Sequence, residues 1–294
     1  MDKIPNFFII GAPKCGTTSL SKWLAGHPEV YFSPIKEPHF FNTDENWFWR
    51  GTEKKYLQLF EKVKTYHRAI GEGSVWYLNS KVAVSNIEKF TNKNAKYIVC
   101  LRNPIEMVVS LHNQLVVTGI ENILDFNKAW KMSEHRNENQ GFTLFYRQTS
   151  YLHYKNSCLL GQQVQRLFEN VPRDRIHFVF LEDMKSNPEK IYNQVIHFLN
   201  LTAHKKNNFV KENSSKKLRS GIFRKVLLFL GFLKIKMGIP FNFGLLNKME
   251  KFNEISGKYP EIDLELEKEL KEYFFKDIVL LENLVHRDLS EWKR

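Results

Sequence analysis

Three cysteines, Cys15, Cys100 and Cys158, are all that the 294 residues contain. An odd, scattered set without metal-ligand spacing offers no disulfide framework and no thiolate metal site, and it suits a reducing compartment. Long uninterrupted apolar runs are equally scarce. The N-terminus, MDKIPNFFIIGAPK, lacks the extended hydrophobic core of a signal peptide, because its apolar run is broken by Gly11 and Pro13. A cytoplasmic protein is therefore expected. The most apolar later stretch, 222–239, is interrupted by Arg224, Lys225, Lys234 and Lys236, too much charge for a spanning helix. It reads as a helix that packs over a cleft, with peripheral contact to a membrane surface as the alternative. Acidic residues are also in deficit, 32 against 44 Lys and Arg, so the net charge is +12 and an anionic ligand or partner is plausible on charge alone. No internal repeat is present.

What the chain does contain is a phosphate-type anion cradle at its start. Phe7, Phe8, Ile9 and Ile10 form an unbroken apolar run, as expected of a strand covered on both faces of a parallel sheet. Gly11 and Gly16 permit close backbone approach and Pro13 stiffens the loop between them. From Thr17 the pattern turns helical, so the helix N-terminus, the Lys14 charge and the hydroxyls of Thr17, Thr18 and Ser19 converge on one loop. This satisfies half of a Walker A motif: the glycine spacing is right, but the lysine sits two residues before Gly16 and Thr17 follows it. Cys15 lies inside the loop, with no nearby histidine pattern to make it a nucleophile.

Later segments alternate between strand and helix. Strands are expected at Val30–Phe32, Ala69–Ser74, Lys96–Leu101 and Ile176–Leu181, and helices over 53–63, 79–90, 104–117, 126–135, 149–169, 187–199 and 263–292. The order predicts an α/β fold of P-loop type in three layers, a central parallel sheet flanked by helices, in a single domain over 1–294. Its portion 202–294 is expected to be mostly helical and to cover the cleft.

Two further clusters fall where such a sheet places ligands. The loop Ser33 to Phe41 holds Lys36, Glu37 and His39 between two prolines, which steady its backbone. Glu72 ends a buried strand, in a helix-capping, substrate-orienting or catalytic role. The strand Lys96–Leu101 runs into Arg102-Asn103-Pro104, and Arg102 with Ser110, two turns along the next helix, can address one anion. No aspartate follows this strand where a P-loop hydrolase places its magnesium-binding acid.

The stretches FIIGAPKCGTTSL at 8–20 and YIVCLRNPIEMVVS at 97–110 resemble the two cofactor motifs of the sulfotransferases that use 3′-phosphoadenosine-5′-phosphosulfate (PAPS). KEPHFF at 36–41, GEGSVWYL at 71–78 and KYPEIDL at 258–264 are similar to the carbohydrate branch, notably the heparan sulfate N- and 3-O-sulfotransferases. The resemblance implies that Lys14, Cys15, Gly16, Thr17, Thr18 and Ser19 hold the 5′-phosphosulfate, and that Arg102 and Ser110 hold the 3′-phosphate. It implies Glu37 as catalytic base with His39 as the competing base, and Glu72 and Tyr77 on the acceptor side; charge gives Lys14 the bridging oxygen, and His112, two residues past Ser110, faces the acceptor or belongs to a polar helix surface. No metal is required, and the product is the bisphosphate PAP. The acceptor would be a saccharide or another small hydroxyl or amine compound, not nucleic acid. Two departures stand out: the lysine of the branch's Glu-Lys-x-x-x-Tyr motif is Gly73 here, and no cysteine follows Cys158 to close a bridged capping loop. A P-loop kinase or hydrolase and a non-enzymatic basic glycan-binding module are the rival readings.

Overall fold

The computed structural model describes residues 3–45, 51–136, 150–206, 208–210, 216–218, 223, 226–227, 254–256 and 262–294. Most of 222–239 and part of the KYPEIDL stretch lie outside the described residues, and with them the expectation of a cleft-covering or membrane-touching helix. The chain divides into two compact units, one of Met1–Met107, Leu159–Glu212 and Leu270–Arg294, the other of Val108–Cys158 and Asn213–Glu269.

The first unit is built on a five-stranded parallel sheet. Its strands are β1 (Phe7–Gly11), β2 (Val30–Phe32), β3 (Ala69–Gly73), β4 (Lys96–Leu101) and β5 (Ile176–Phe180), in the spatial order β2-β3-β1-β4-β5. Every residue of β1 is buried, as its continuous apolar run requires of a central strand. Phe8 lies opposite Glu72 of β3 on one side and opposite Tyr97 of β4 on the other. After β1 the chain crosses to the far edge and returns, so β1 stands where the strand order reverses. Ligands of open α/β sheets bind in the crevice at that point, beyond the carboxyl ends of the strands. The helices of this unit include α1 (Thr17–Ala25), α2 (Glu53–Gln58), α3 (Ala83–Phe90) and the start of α4 (Pro104–Thr118). The second unit holds the rest of α4, α5 (Phe126–Met132), α6 (Tyr154–Ser157) and a short antiparallel pair, β6 (Lys216–Leu218) with β7 (Glu254–Ser256).

Five expected helices are shorter than their patterns suggest: 126–135 ends at Met132 and 263–292 ends at Val285, with a separate turn of helix at Ser290–Lys293, and three more are cut or broken as follows. The 53–63 helix ends at Gln58, and the chain continues in tighter turns, Leu59 N–H to Tyr56 C=O and Val63 N–H to Phe60 C=O. The 79–90 helix starts at Ala83, because the Ser80 hydroxyl accepts from the N–H groups of Val82 and Ala83 one turn earlier. The 149–169 helix is not continuous: a 3-10 turn at Ser150–Leu152 precedes α6, and α7 (Leu160–Asn170) begins afresh where the chain enters the first unit. The Asp277 carboxylate, on α10 (Leu264–Val285), accepts from Gly161 N–H and Gln162 N–H at 2.8 and 2.9 Å and so caps the new helix start. Beyond β5 come α8 (Leu181–Ser186) and α9 (Pro188–Phe198), and the chain ends in α11 (Ser290–Lys293). Among the described residues no helix is long and apolar enough to cross a membrane.

Candidate active site

Four strand ends of the first unit, those of β1, β2, β3 and β4, carry the candidate chemistry. The loop after β1 turns sharply: Lys14 and Gly16 adopt left-handed backbone conformations with φ of 64° and 85°. At Gly16 a side chain would be strained by that angle and would press on α8, since a Cβ there lies 2.9 Å from Leu181 and 3.1 Å from Met184. The glycine lets the chain enter α1 directly. Its first turn carries no acidic residue and no side-chain cap, which leaves the positive end of the helix dipole directed at the loop.

Lys14 is crowded by other cations. Burial, then the Arg102 charge and that of Lys36, bring its ammonium down to about 8, although Glu37 pulls the other way. Arg102, only 9% exposed at the end of β4, donates from Nη1 to the Lys14 carbonyl oxygen at 3.3 Å. Its Nε and Nη2 both donate to Glu106 Oε2, at 2.9 and 2.8 Å. Cys15 takes a different part from its neighbours. Its side chain is fully buried against Pro13 O and Met107 Sδ, and burial pushes the thiol up to about 12. A thiol so buried and so weakly acidic is no nucleophile.

The second loop, after β2, brings Glu37 and His39 together. Both have positive φ, 60° and 50°, in a region that costs a side-chain-bearing residue about 1–3 kcal/mol and persists only where neighbours over-determine it. Glu37 Oε2 lies 3.5 Å from His39 Nε2, and Lys36 Nζ donates to Glu37 Oε1. Burial pushes the Glu37 carboxyl up, but the His39 hydrogen bond and the Lys36 charge outweigh it and hold the group at about 2.

The loop is tied to β3 by Ser33 N–H to Gly71 C=O and Glu37 N–H to Gly73 C=O, 2.8 and 3.0 Å long. Glu72 and Tyr77, expected on the acceptor side, are fully buried next to it. Glu72 accepts from three hydroxyls, those of Ser74, Tyr77 and Tyr56, at 2.8, 2.9 and 3.2 Å. Burial lifts its carboxyl to about 7 against the pull of those three donors.

Lys14, Gly16, Thr17, Thr18, Ser19, Glu37, His39, Glu72, Tyr77 and Arg102 thus belong to one unit. Ser110 and His112 lie on the part of α4 that belongs to the second unit, and both are buried. His112 Nε2 donates to the Ile123 carbonyl oxygen at 2.8 Å, its ring packs on Phe126 and Tyr154, and burial lowers its pKa. Sequence reasoning missed Glu106, Lys36 as partner of Glu37, and the hydroxyls of Ser74 and Tyr56. The spacing of Arg102 and Glu106, one helical turn, was the available signal for the first. Among the described residues no group of three or more His, Cys, Asp or Glu side chains is placed to hold a metal ion.

Comparison with known proteins bears on the family and the fold. Over 38 residues the chain is 63% identical to human carbohydrate sulfotransferase 15, covering 13% of this chain and 7% of that protein. Over 113 residues it is 34% identical to the membrane-associated sulfotransferase kil1 of Dictyostelium discoideum, covering 37% of this chain and 23% of that one. The matches therefore span less than a quarter of either relative's length. The crystal structure of a sulfotransferase from Alicyclobacillus acidocaldarius superposes with a TM-score of 0.75 at 25% identity, covering 99% of both chains. The family model for the sulfotransferase domain matches residues 5–227, most of the chain, and the chain accordingly belongs to the sulfotransferase domain family.

Proposed function

We propose that this chain moves a sulfuryl group from PAPS to a hydroxyl or amine of a saccharide or other small acceptor. The observation that carries the reading is the pairing of two cations, half-buried Lys14 and buried Arg102, at the ends of the adjacent strands β1 and β4, joined by the hydrogen bond from Arg102 to the Lys14 carbonyl. Two anions in one ligand call for two such charges. The residues present fit the cofactor: the first turn of α1 has no carboxylate to repel an anion, and Lys14 has a depressed pKa that a bound anion would restore. When bound, PAPS supplies the sulfuryl group and a bisphosphate leaving group.

The chain's own residues divide the work. The N–H groups of the Lys14 to Ser19 turn, with the hydroxyls of Thr17, Thr18 and Ser19, bind the 5′ end, and Arg102 binds the 3′-phosphate. Lys14 stabilises negative charge developing on the leaving oxygen. Glu37 is ionised at any working pH and takes the acceptor's proton, with His39 as the partner that orients it and receives part of the charge. For Glu37 to act, an acceptor hydroxyl must displace one of its two contacts, and half-buried Lys36 is more accessible than buried His39. The lysine's place before Gly16, and Arg102 where a nucleotide hydrolase would have an acid, support sulfuryl over phosphoryl transfer. The similarity to a carbohydrate sulfotransferase favours a saccharide acceptor.

The test is transfer from radiolabelled PAPS to a panel of saccharides, lipid-linked glycans and small hydroxyl compounds. The reading expects label on at least one acceptor, lost in Glu37→Gln while PAP still binds. Near-normal turnover in Glu37→Gln together with a dead His39→Ala would move the base to His39.

A further inference from the structure

We propose that Glu72 is a positioning residue that sets the Glu37 and His39 loop through two hydroxyl relays. The inference rests on the reading of Glu37 and His39 as the reacting pair, and it assigns to Glu72 and Tyr77 a place behind the loop instead of a contact with the acceptor.

A hydroxyl has one proton, and the direction in which it points decides what its lone pairs can do. Ser74 Oγ donates to Glu72 Oε2 at 2.8 Å and accepts from the His39 N–H at 3.3 Å. Tyr77 OH donates to Glu72 Oε1 at 2.9 Å and accepts from the N–H groups of Phe40 and Phe41 at 3.0 and 3.3 Å. In its ionised form Glu72 cannot donate, so it fixes both protons inward and leaves both oxygens facing the loop. Three consecutive backbone amides, starting at His39, are thereby caught. Tyr56 extends the same device: its hydroxyl donates to Glu72 Oε1 at 3.2 Å while its ring stacks on Phe40, centroids 4.4 Å apart and planes within 9°.

The loop needs such ties, since Glu37 and His39 hold backbone angles that the chain does not favour by itself. Glu72, Ser74 and Tyr77 are all 0% exposed, so water does not compete for these hydrogen bonds. An amide or a protonated acid in place of the carboxylate offers a donor to at least one hydroxyl. That hydroxyl must turn its proton away from Glu72, and Tyr77, whose oxygen already accepts from two amides, must give one of them up.

The experiment is site-resolved hydrogen exchange on the full chain, with PAP titration on the same samples, for Tyr77→Phe, Ser74→Ala and Glu72→Gln. Tyr77→Phe keeps the ring and removes only the relay, so it remains informative where Glu72→Gln fails to fold. Expected are exchange at the Phe40 and Phe41 amides faster by roughly tenfold in Tyr77→Phe, and at His39 in Ser74→Ala, with β1 amides unchanged. PAP affinity should stay within about twofold, because the cofactor loop is untouched, while kcat falls and the acceptor KM changes less. Unchanged protection in both hydroxyl variants would overturn the relay, as would a loss of PAP affinity that parallels the loss of kcat. A wild-type protein that binds no PAP would instead remove the sulfotransfer reading and leave the exchange result to judge the relay by itself.

Discussion

Arg102 gives two of its N–H groups, Nε at 2.9 Å and Nη2 at 2.8 Å, to a single oxygen of Glu106 one helical turn away. The arginine proposed to hold a phosphate is thus already held by a carboxylate. Glu106 is more than half exposed, 55% for its side chain, and an ion pair with one partner so open to water is worth about 0–1 kcal/mol. On the proposed reading a dianionic phosphate displaces it. Glu106→Gln removes the competing charge, and its expected effect is PAP binding tighter by about two- to tenfold in calorimetry at fixed ionic strength. Weaker binding would show that the clasp prepares Arg102 instead of competing for it.

Lys14 makes cofactor affinity depend on pH in a defined direction. Its ammonium is held at about 8 in the free protein by burial and by the Arg102 and Lys36 charges. A bound anion favours the charged form and raises that value, so binding takes up a proton between the two. PAP affinity is therefore expected to be flat below about pH 8 and to fall above it, by up to roughly tenfold per unit. Calorimetry at pH 7 and pH 9 in buffers of different ionisation heat reads both the fall and the proton, and Lys14→Met should abolish the pH dependence.

Lys36 sets the basicity of Glu37. Burial raises the carboxyl, yet His39 and the Lys36 charge hold it at about 2. Lys36→Met removes the lysine charge, so the Glu37 pKa rises toward the ordinary carboxylate range. The acid limb of the kcat/KM profile should move up by roughly one pH unit. Since Lys36 also depresses Lys14, the alkaline limb should move the same way. An acid limb that stays in place would point away from Glu37 as the base.

How much of this was legible in the sequence follows from how local each feature is. The apolar run into Gly11, the glycine spacing and the shift to helical pattern at Thr17 are consecutive, and the strand, loop and helix stand where the residues put them. Arg102 was legible for the same reason, as the first residue after an apolar strand and two before the proline that opens a helix. The surroundings of Glu72 were not. Its hydroxyl partners come from α2, from the residue after β3 and from the turn beyond it, and only the sheet brings them around one carboxylate. The break between α6 and α7 was hidden similarly, because the carboxylate that caps α7 belongs to Asp277, more than a hundred residues later. Glu106 lay in plain view at helical spacing and went unread because its partner already had a role.

Gly16 tests the loop geometry without reference to any ligand. With φ of 85°, and with Leu181 and Met184 standing 2.9 and 3.1 Å from where a Cβ would sit, Gly16→Ala meets both backbone strain and overpacking. A loss of about 1–3 kcal/mol in denaturant unfolding is expected. A neutral substitution would mean that the left-handed turn is not what shapes the cradle.

The most direct test of the central claim is a titration of PAP against the protein in the presence of a chelator, repeated with Arg102→Ala and with ATP and magnesium in place of PAP. The account predicts saturable, metal-independent PAP binding at one site per chain, weakened by about 10- to 100-fold in Arg102→Ala. Failure to bind PAP, with saturable binding of ATP and magnesium instead, would contradict it.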